Sequence, residues 1–333
     1  MYTDEDLNTA VDKGIFTQEA VARFRQQLSA EKNTPAVDEE SFRLITGFND
    51  IFVVIACLLL LFSSLWALRG FNEILGFLVF PVLAWGLAEF FILKRKMALP
   101  AIVLLLAFVG GVFAFCLNLF HTLSETELAM AAGISAIAAY VHWRRFKVPI
   151  TVAAGTGAVV GLIIFSVLSA FPGLKEGVLL IVFIGGVCAF SLAMYWDASD
   201  RKRVTHRSDV AFWLHLLAAP LIVHPVFSAL GILEGNESLA IMMAVILLYL
   251  FMTLISIAVD RKAFMVSSLA YVLYALSNLL DVYGVIGYSF AITGVCIGSV
   301  LLLLAAFWQP SRIRLVTLLP GMIQHYVPEV KKI

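Results

Sequence analysis

Residues 51–96 read IFVVIACLLLLFSSLWALRGFNEILGFLVFPVLAWGLAEFFILKRK. Two apolar runs, 51–68 and 74–93, are parted by a short polar break, and the second closes on Lys94-Arg95-Lys96. Each run carries about the 20 residues needed to cross roughly 30 Å of hydrocarbon, so this stretch is a helical hairpin that enters a membrane and returns. Further runs follow at 98–120, 127–143, 148–171, 177–196, 210–231, 238–259, 263–280 and 286–308. Together they predict an all-α polytopic transmembrane bundle of about ten helices, used as five hairpins. The ninth run is the weakest, being short and interrupted by Ser267, Ser268, Ser277 and Asn278.

The loop charges read the same count independently, because Lys and Arg are retained on the cytoplasmic side. Basic clusters follow every even-numbered run: Lys94 to Lys96, then Arg144, Arg145 and Lys147, then Arg201 to Arg203 and Arg207, then Arg261 and Lys262, then Arg312, Arg314, Lys331 and Lys332. The odd-numbered runs are followed only by Arg69 and Lys175. A missed or invented helix would scramble this alternation, so both termini are expected on the cytoplasmic side. Trp143, Trp196, Trp213 and Trp308 fall at the expected inner boundaries and Trp66 near an outer one, as an aromatic belt requires.

Composition agrees. The chain is 61% hydrophobic and 14% charged, far from the soluble balance. A net charge of zero gives no reason to expect nucleic acid as a partner; the bilayer is the expected one. Cys57, Cys116, Cys188 and Cys296 lie singly in apolar runs, without disulfide, zinc or redox spacing, and no metal site is expected. Residues 1–46 are polar and carry no secretory signal, so insertion through the first helix is expected. Within them 4–13 reads as a helix, Gly14 as its stop and Thr17 as the N-cap of a second helix with Ala20, Val21, Phe24 and Leu28 on one face. That stripe is too narrow for its own core, so residues 1–30 are expected to dock on the membrane part, on a protein partner or on a second copy. A linker around Pro35 leads to the bundle at 47–309, and 310–333 reads as a cytoplasmic or interfacial tail.

The seventh run holds the most unusual chemistry: Ser208-Asp-Val-Ala-Phe-Trp-Leu-His215-Leu-Leu-Ala-Ala-Pro220-Leu-Ile-Val-His224-Pro225. Each proline frees a carbonyl four residues back, so a kink is expected where a ligand can be received. Nine residues apart, the two histidines lie on opposite faces of a straight helix. Ionisable groups inside a membrane are costly and tend to be functional, which makes His215, His224 and, in the second run, Glu89 candidate ligand-binding residues. The ordinary alternatives are histidines bonded to backbone or hydroxyls, and a Glu89 paired with Lys94 or Lys96. Asn118 and His121 share a face at the outer end of the third run, and His142 beside Trp143 reads as interfacial. The loop from Asp197 to Asp209 places Asp200, Arg201, Arg203 and Asp209 where they either latch two hairpins together or serve as a solvated topology signal, with Asp209 capping the seventh helix. In composition it resembles the acidic-basic loops of facilitator-type transporters, without their glycines.

No phosphate-binding glycine loop, zinc-protease motif or recognisable nucleophile is present, so no catalytic residue is assigned. The segment Val11-Asp-Lys-Gly-Ile-Phe-Thr-Gln-Glu-Ala20 followed by many spans, together with Ser208 to Val226, resembles the bacterial predicted-membrane-protein families classed as domains of unknown function. The resemblance implies a bacterial inner-membrane location and no particular activity or cofactor. Three readings stay open: a permease-like transporter of a small solute with its polar site in the seventh helix, a scaffold or assembly factor recruiting a partner through the N-terminal hairpin, and a haem- or quinone-binding membrane enzyme.

Overall fold

Lipid offers a backbone N–H or C=O no water to bond, so a run that crosses it must close its hydrogen bonds within a helix. The structure, a computed structural model, describes residues 4–31, 48–120, 123–201, 203, 205–232, 238–282 and 288–330, and among them it contains helices and no strand. The chain is a multi-pass, all-α membrane protein. Its N-terminal unit is a hairpin of α1 (Asp4–Asp12) and α2 (Gln18–Glu31). Gly14 ends the first helix at φ +68°, a conformation glycine adopts without strain, and Thr17 Oγ1 accepts the Ala20 N–H to start the second. Of its apolar residues Val21 is buried, while Phe16 and Phe24 stay exposed. The expected linker after Glu31 lies outside the described residues.

The second unit holds α3 (Phe48–Arg69), α4 (Glu73–Ala88), α5 (Ala98–Phe120), α6 (Glu125–Phe146), α7 (Ile150–Ala170), α8 (Val178–Ser199), α9 (His206–Ser228), α10 (Leu239–Val259), α11 (Ala263–Val282) and α12 (Ser289–Ala306), then α13 (Trp308–Leu318) and the single turn α14 (Gly321–Gln324). A π-helical segment, Glu89–Lys94, extends α4, and a 3-10 turn, Pro172–Gly177, precedes α8. Among the described residues nine helices are long and apolar enough to cross a membrane. The long helix outside that set is α6, whose charges sit at its ends: Glu125 and Glu127 in the first turn, Arg144 and Arg145 in the last. Helix starts use side-chain acceptors: Asn72 for α4, a Ser124–Glu127 capping box for α6, Ser238 for α10. The ninth run is an unbroken helix, and the Ser268 hydroxyl donates to the Phe264 carbonyl within it. The tenth run ends sooner than expected, at Ala306, and Trp308 begins a separate helix.

The most closely packed hairpins are α4–α5, α6–α7, α8–α9 and α10–α11, joined at the basic end and so shifted by one helix from the five expected, while α9 reaches across to α7 and α11. Half of its most apolar stretch is buried, against 11% for α12, so α9 is the axis of this unit. Its alanines, Ala211, Ala218 and Ala219, are fully buried, as are Ala189 and Ala193 on α8, the helix with which it packs most closely. Without water inside the bundle to drive association, close approach through small residues is what holds such helices together. Gly186 marks the tightest point: a Cβ there would lie 2.8 Å from Ile222 Cγ1 and from the Leu221 backbone. By contrast a Cβ added at Gly294 or Gly298 of α12 would meet nothing within 4 Å among the described residues. Gly186→Ala is therefore expected to lower stability by about 1–3 kcal/mol through overpacking, and Gly298→Ala to change it little, as thermal unfolding in detergent will measure.

Candidate functional site

The basic ends of α8 to α11 converge on a buried ionic network. Its centre is Asp197, in the last turn of α8, with a side chain 0% exposed. Arg261 grips it with both arms, Nη2 to Oδ1 at 2.7 Å and Nε to Oδ2 at 3.3 Å, and donates again to the Ser208 carbonyl at 3.0 Å. His215, one face of α9, lies 3.0 Å from the same carboxylate through Nε2. A carboxylate gripped by an arginine only accepts, so Nε2 carries the proton. Nδ1 of His215 has no hydrogen-bond partner among the described residues, and its ring meets Phe190 edge-on at 5.4 Å.

A second buried aspartate, Asp260, stands one residue before Arg261, where α10 ends in a left-handed residue at φ +59°. Its Oδ2 accepts from Arg203 Nη1 at 2.7 Å and its Oδ1 from the Trp308 indole at 2.7 Å, with Arg312 Nε 3.7 Å away. Burial pushes the Arg203 guanidinium below its usual range; Arg261 and Arg312 push the same way, and Asp260 and Asp197 oppose them. Arg312, fully buried on α13, donates to the carbonyls of Pro328 and Glu329. The expected cytoplasmic tail is thus partly folded in: Arg201 donates to the carbonyls of Gln324 and Val327, and its own carbonyl accepts the Glu329 N–H.

The residues singled out in the sequence fall in separate places. His215 belongs to the network. His224 is exposed on the opposite face of α9, its Nδ1 2.7 Å from the Tyr271 hydroxyl. Glu89 sits near the basic end of α4 and accepts two hydrogen bonds of 2.8 Å from Arg145, which replaces the expected Lys94 or Lys96. The π-helical segment that starts at Glu89 widens the helix there, a feature frequent at functional positions. The three therefore form no common site. In the loop, Arg203 crosses to Asp260 of the next hairpin, Arg201 holds the tail, and Asp200 Oδ2 accepts from both the backbone and the hydroxyl of Thr205. Thr205, rather than Asp209, caps α9, because the helix begins four residues earlier than the apolar run; Asp209 lies 3.4 Å from His206. Both prolines lie within a helix that runs from His206 to Ser228.

His142 is also displaced from its expected interfacial setting. It is fully buried among Trp85, Phe108 and Phe146, with Nδ1 3.3 Å from the Thr151 hydroxyl. Of the outer pair, His121 lies outside the described residues. Among the described residues no group of three His, Cys, Asp or Glu side chains is placed to hold a metal ion. Asp260, Arg261 and Arg312 were missed in the sequence because they read as ordinary loop charges; an aspartate directly before an arginine between two apolar runs is the one local hint.

No family model matches this chain, and no curated protein or solved structure is similar to it. Removing one partner of a buried pair leaves a charge without compensation, so Arg261→Met is expected to cost about 3–5 kcal/mol. Glu89→Gln, which breaks an exposed pair, should leave the unfolding transition of the detergent-purified protein nearly where it is.

Proposed function

We propose that this chain is a permease-like transporter of a small solute in the bacterial inner membrane, with the network of Asp197, His215, Arg261, Asp260, Arg203 and Arg312 as the latch that closes its basic, cytoplasmic end. The observation that carries this reading is the burial of so many charges where apolar packing would serve a static bundle at least as well. Such charges inside a membrane protein mark pathways and gates. The latch joins one hairpin, α8–α9, to the next, α10–α11, and to the tail, so breaking it would free one hairpin to rock against the other, as alternating access requires. The bacterial inner-membrane location rests on the resemblance of the N-terminal segment and of Ser208 to Val226 to bacterial membrane families.

A scaffold or assembly factor is the second reading, and the packed surroundings of His215 favour it: Val210, Leu214, Ala218 and Ala219 are all 0–1% exposed. In that reading the network is a permanent clamp, and residues 1–30 recruit a protein partner. The haem or quinone reading gains little support, since His215 is occupied by Asp197 and His224 points to the other side of α9.

Ala218 lies one turn of α9 beyond His215 toward the other membrane face and is fully buried. In a background lacking the native cysteines, Ala218→Cys is to be labelled with a membrane-impermeant maleimide from the basic side, with and without Arg203→Gln. A gate predicts that cutting the latch raises the labelling rate about tenfold or more, a population shift of about 1.4 kcal/mol or more. Equal and negligible labelling in two folded, monodisperse proteins would favour the clamp and defeat the transporter reading.

A further inference from the structure

A second feature lies apart from the network. Between α6 and α8, with α7 as its floor, runs a groove of about 630 Å³. Ala139, Tyr140 and Trp143 form one wall, Ile184 and Trp196 the other, and Gly155 thins the floor between them. The groove exists because α8 turns its small-residue face to α9 and meets α7 at few points, such as Gly185 against Val160. Along α7 it extends from Thr151 at the basic end to Ile164, about 20 Å at the rise of an α-helix, longer than the roughly 15 Å of hydrocarbon in one leaflet. Its lining is almost wholly apolar.

The mouth of this groove is basic. Arg144 donates to the Tyr140 hydroxyl at 3.0 Å and lies over that ring at 5.9 Å, and Lys147 lies over the Trp143 ring at 5.3 Å. Both cations are exposed, and among the described residues neither forms an ion pair. Their neighbours differ: Arg145 is held by Glu89, and at the opposite end Arg69 and Lys175 are held by Glu73 and Glu125. Two unpaired cations resting on the aromatic rim of an apolar, chain-length groove form the complement of one molecule, a hydrocarbon chain carrying a negative head. Basic pockets between helices on the cytoplasmic side bind anionic lipid head groups for this reason.

We propose that the α6–α7–α8 groove is a binding site for an anionic phospholipid, with an acyl chain lying along α7 and its phosphate held by Arg144 and Lys147. The site is independent of the latch and of the transporter reading. Native mass spectrometry of the full chain, exchanged into mixed micelles of phosphatidylglycerol and phosphatidylcholine, tests it. The wild-type protein should retain phosphatidylglycerol about tenfold or more over phosphatidylcholine, as two cations near a membrane surface would give. Arg144→Gln with Lys147→Gln should abolish that preference while leaving phosphatidylcholine retention unchanged. Val159→Trp, which fills the groove from a position that is 44% exposed and so tolerates bulk, should lower retention of both lipids. Equal retention of the two lipids by the wild type, or a preference that survives the double substitution in a monodisperse protein, would overturn the proposal.

Discussion

The carboxylate of Asp197 is the constraint on which the basic end of the α8–α11 region rests. A bare carboxylate in a dry bundle would cost several kcal/mol even after relaxation, and Asp197 has no route to solvent. Arg261 and His215 compensate it from a turn and from a second helix, so α8, α9 and the α10–α11 turn meet in one geometry. Directly before Arg261 in the chain, Asp260 gathers Arg203 and Trp308, with Arg312 close by, and Arg312 reaches the backbone of the tail. Each link adds a second element to what began as one buried acid.

The backbone is shaped to serve this arrangement. Arg203 and Asp260 adopt left-handed conformations at φ +53° and +59°, which an arginine does at some cost and an aspartate more readily. In both cases the turn aims the side chain inward, where the ion pair of 2.7 Å offsets that cost. At the far ends of the helices the described cations Arg69 and Lys175 form exposed pairs of the kind that contributes little. Among the described residues, one end of the bundle is thus cross-linked by buried charge and the other by exposed polar contacts, Lys175 with Glu125 and Thr126 with Ser169.

Much of the fold was legible in the sequence, because a span's length and the alternation of basic loops are consequences of membrane thickness and of insertion, and both are written locally. The ten apolar runs correspond to the long helices α3 to α12. The site was less legible. His215 stood out as a histidine within an apolar run, yet its partners, Asp197 and Arg261, each read as loop charges. Arg203 meets Asp260 57 residues further on, and Arg261 meets Asp197 64 residues back, separations over which one sequence carries no pairing signal. The same loss of long-range information explains Arg312, taken for a tail charge and found fully buried. It explains His142 too, whose aromatic surroundings come from three helices.

If the network acts as one unit, its members must be coupled. The direct measurement is a double-mutant cycle on the detergent-purified protein, with Asp197→Leu, Arg261→Met and the two combined, read by chemical denaturation. The account predicts strong non-additivity, with the double variant more stable than the sum of the single losses allows by about 2 kcal/mol or more. Additive losses, agreeing within about 0.5 kcal/mol, would contradict it and reduce Asp197 and Arg261 to independent residues that happen to be neighbours.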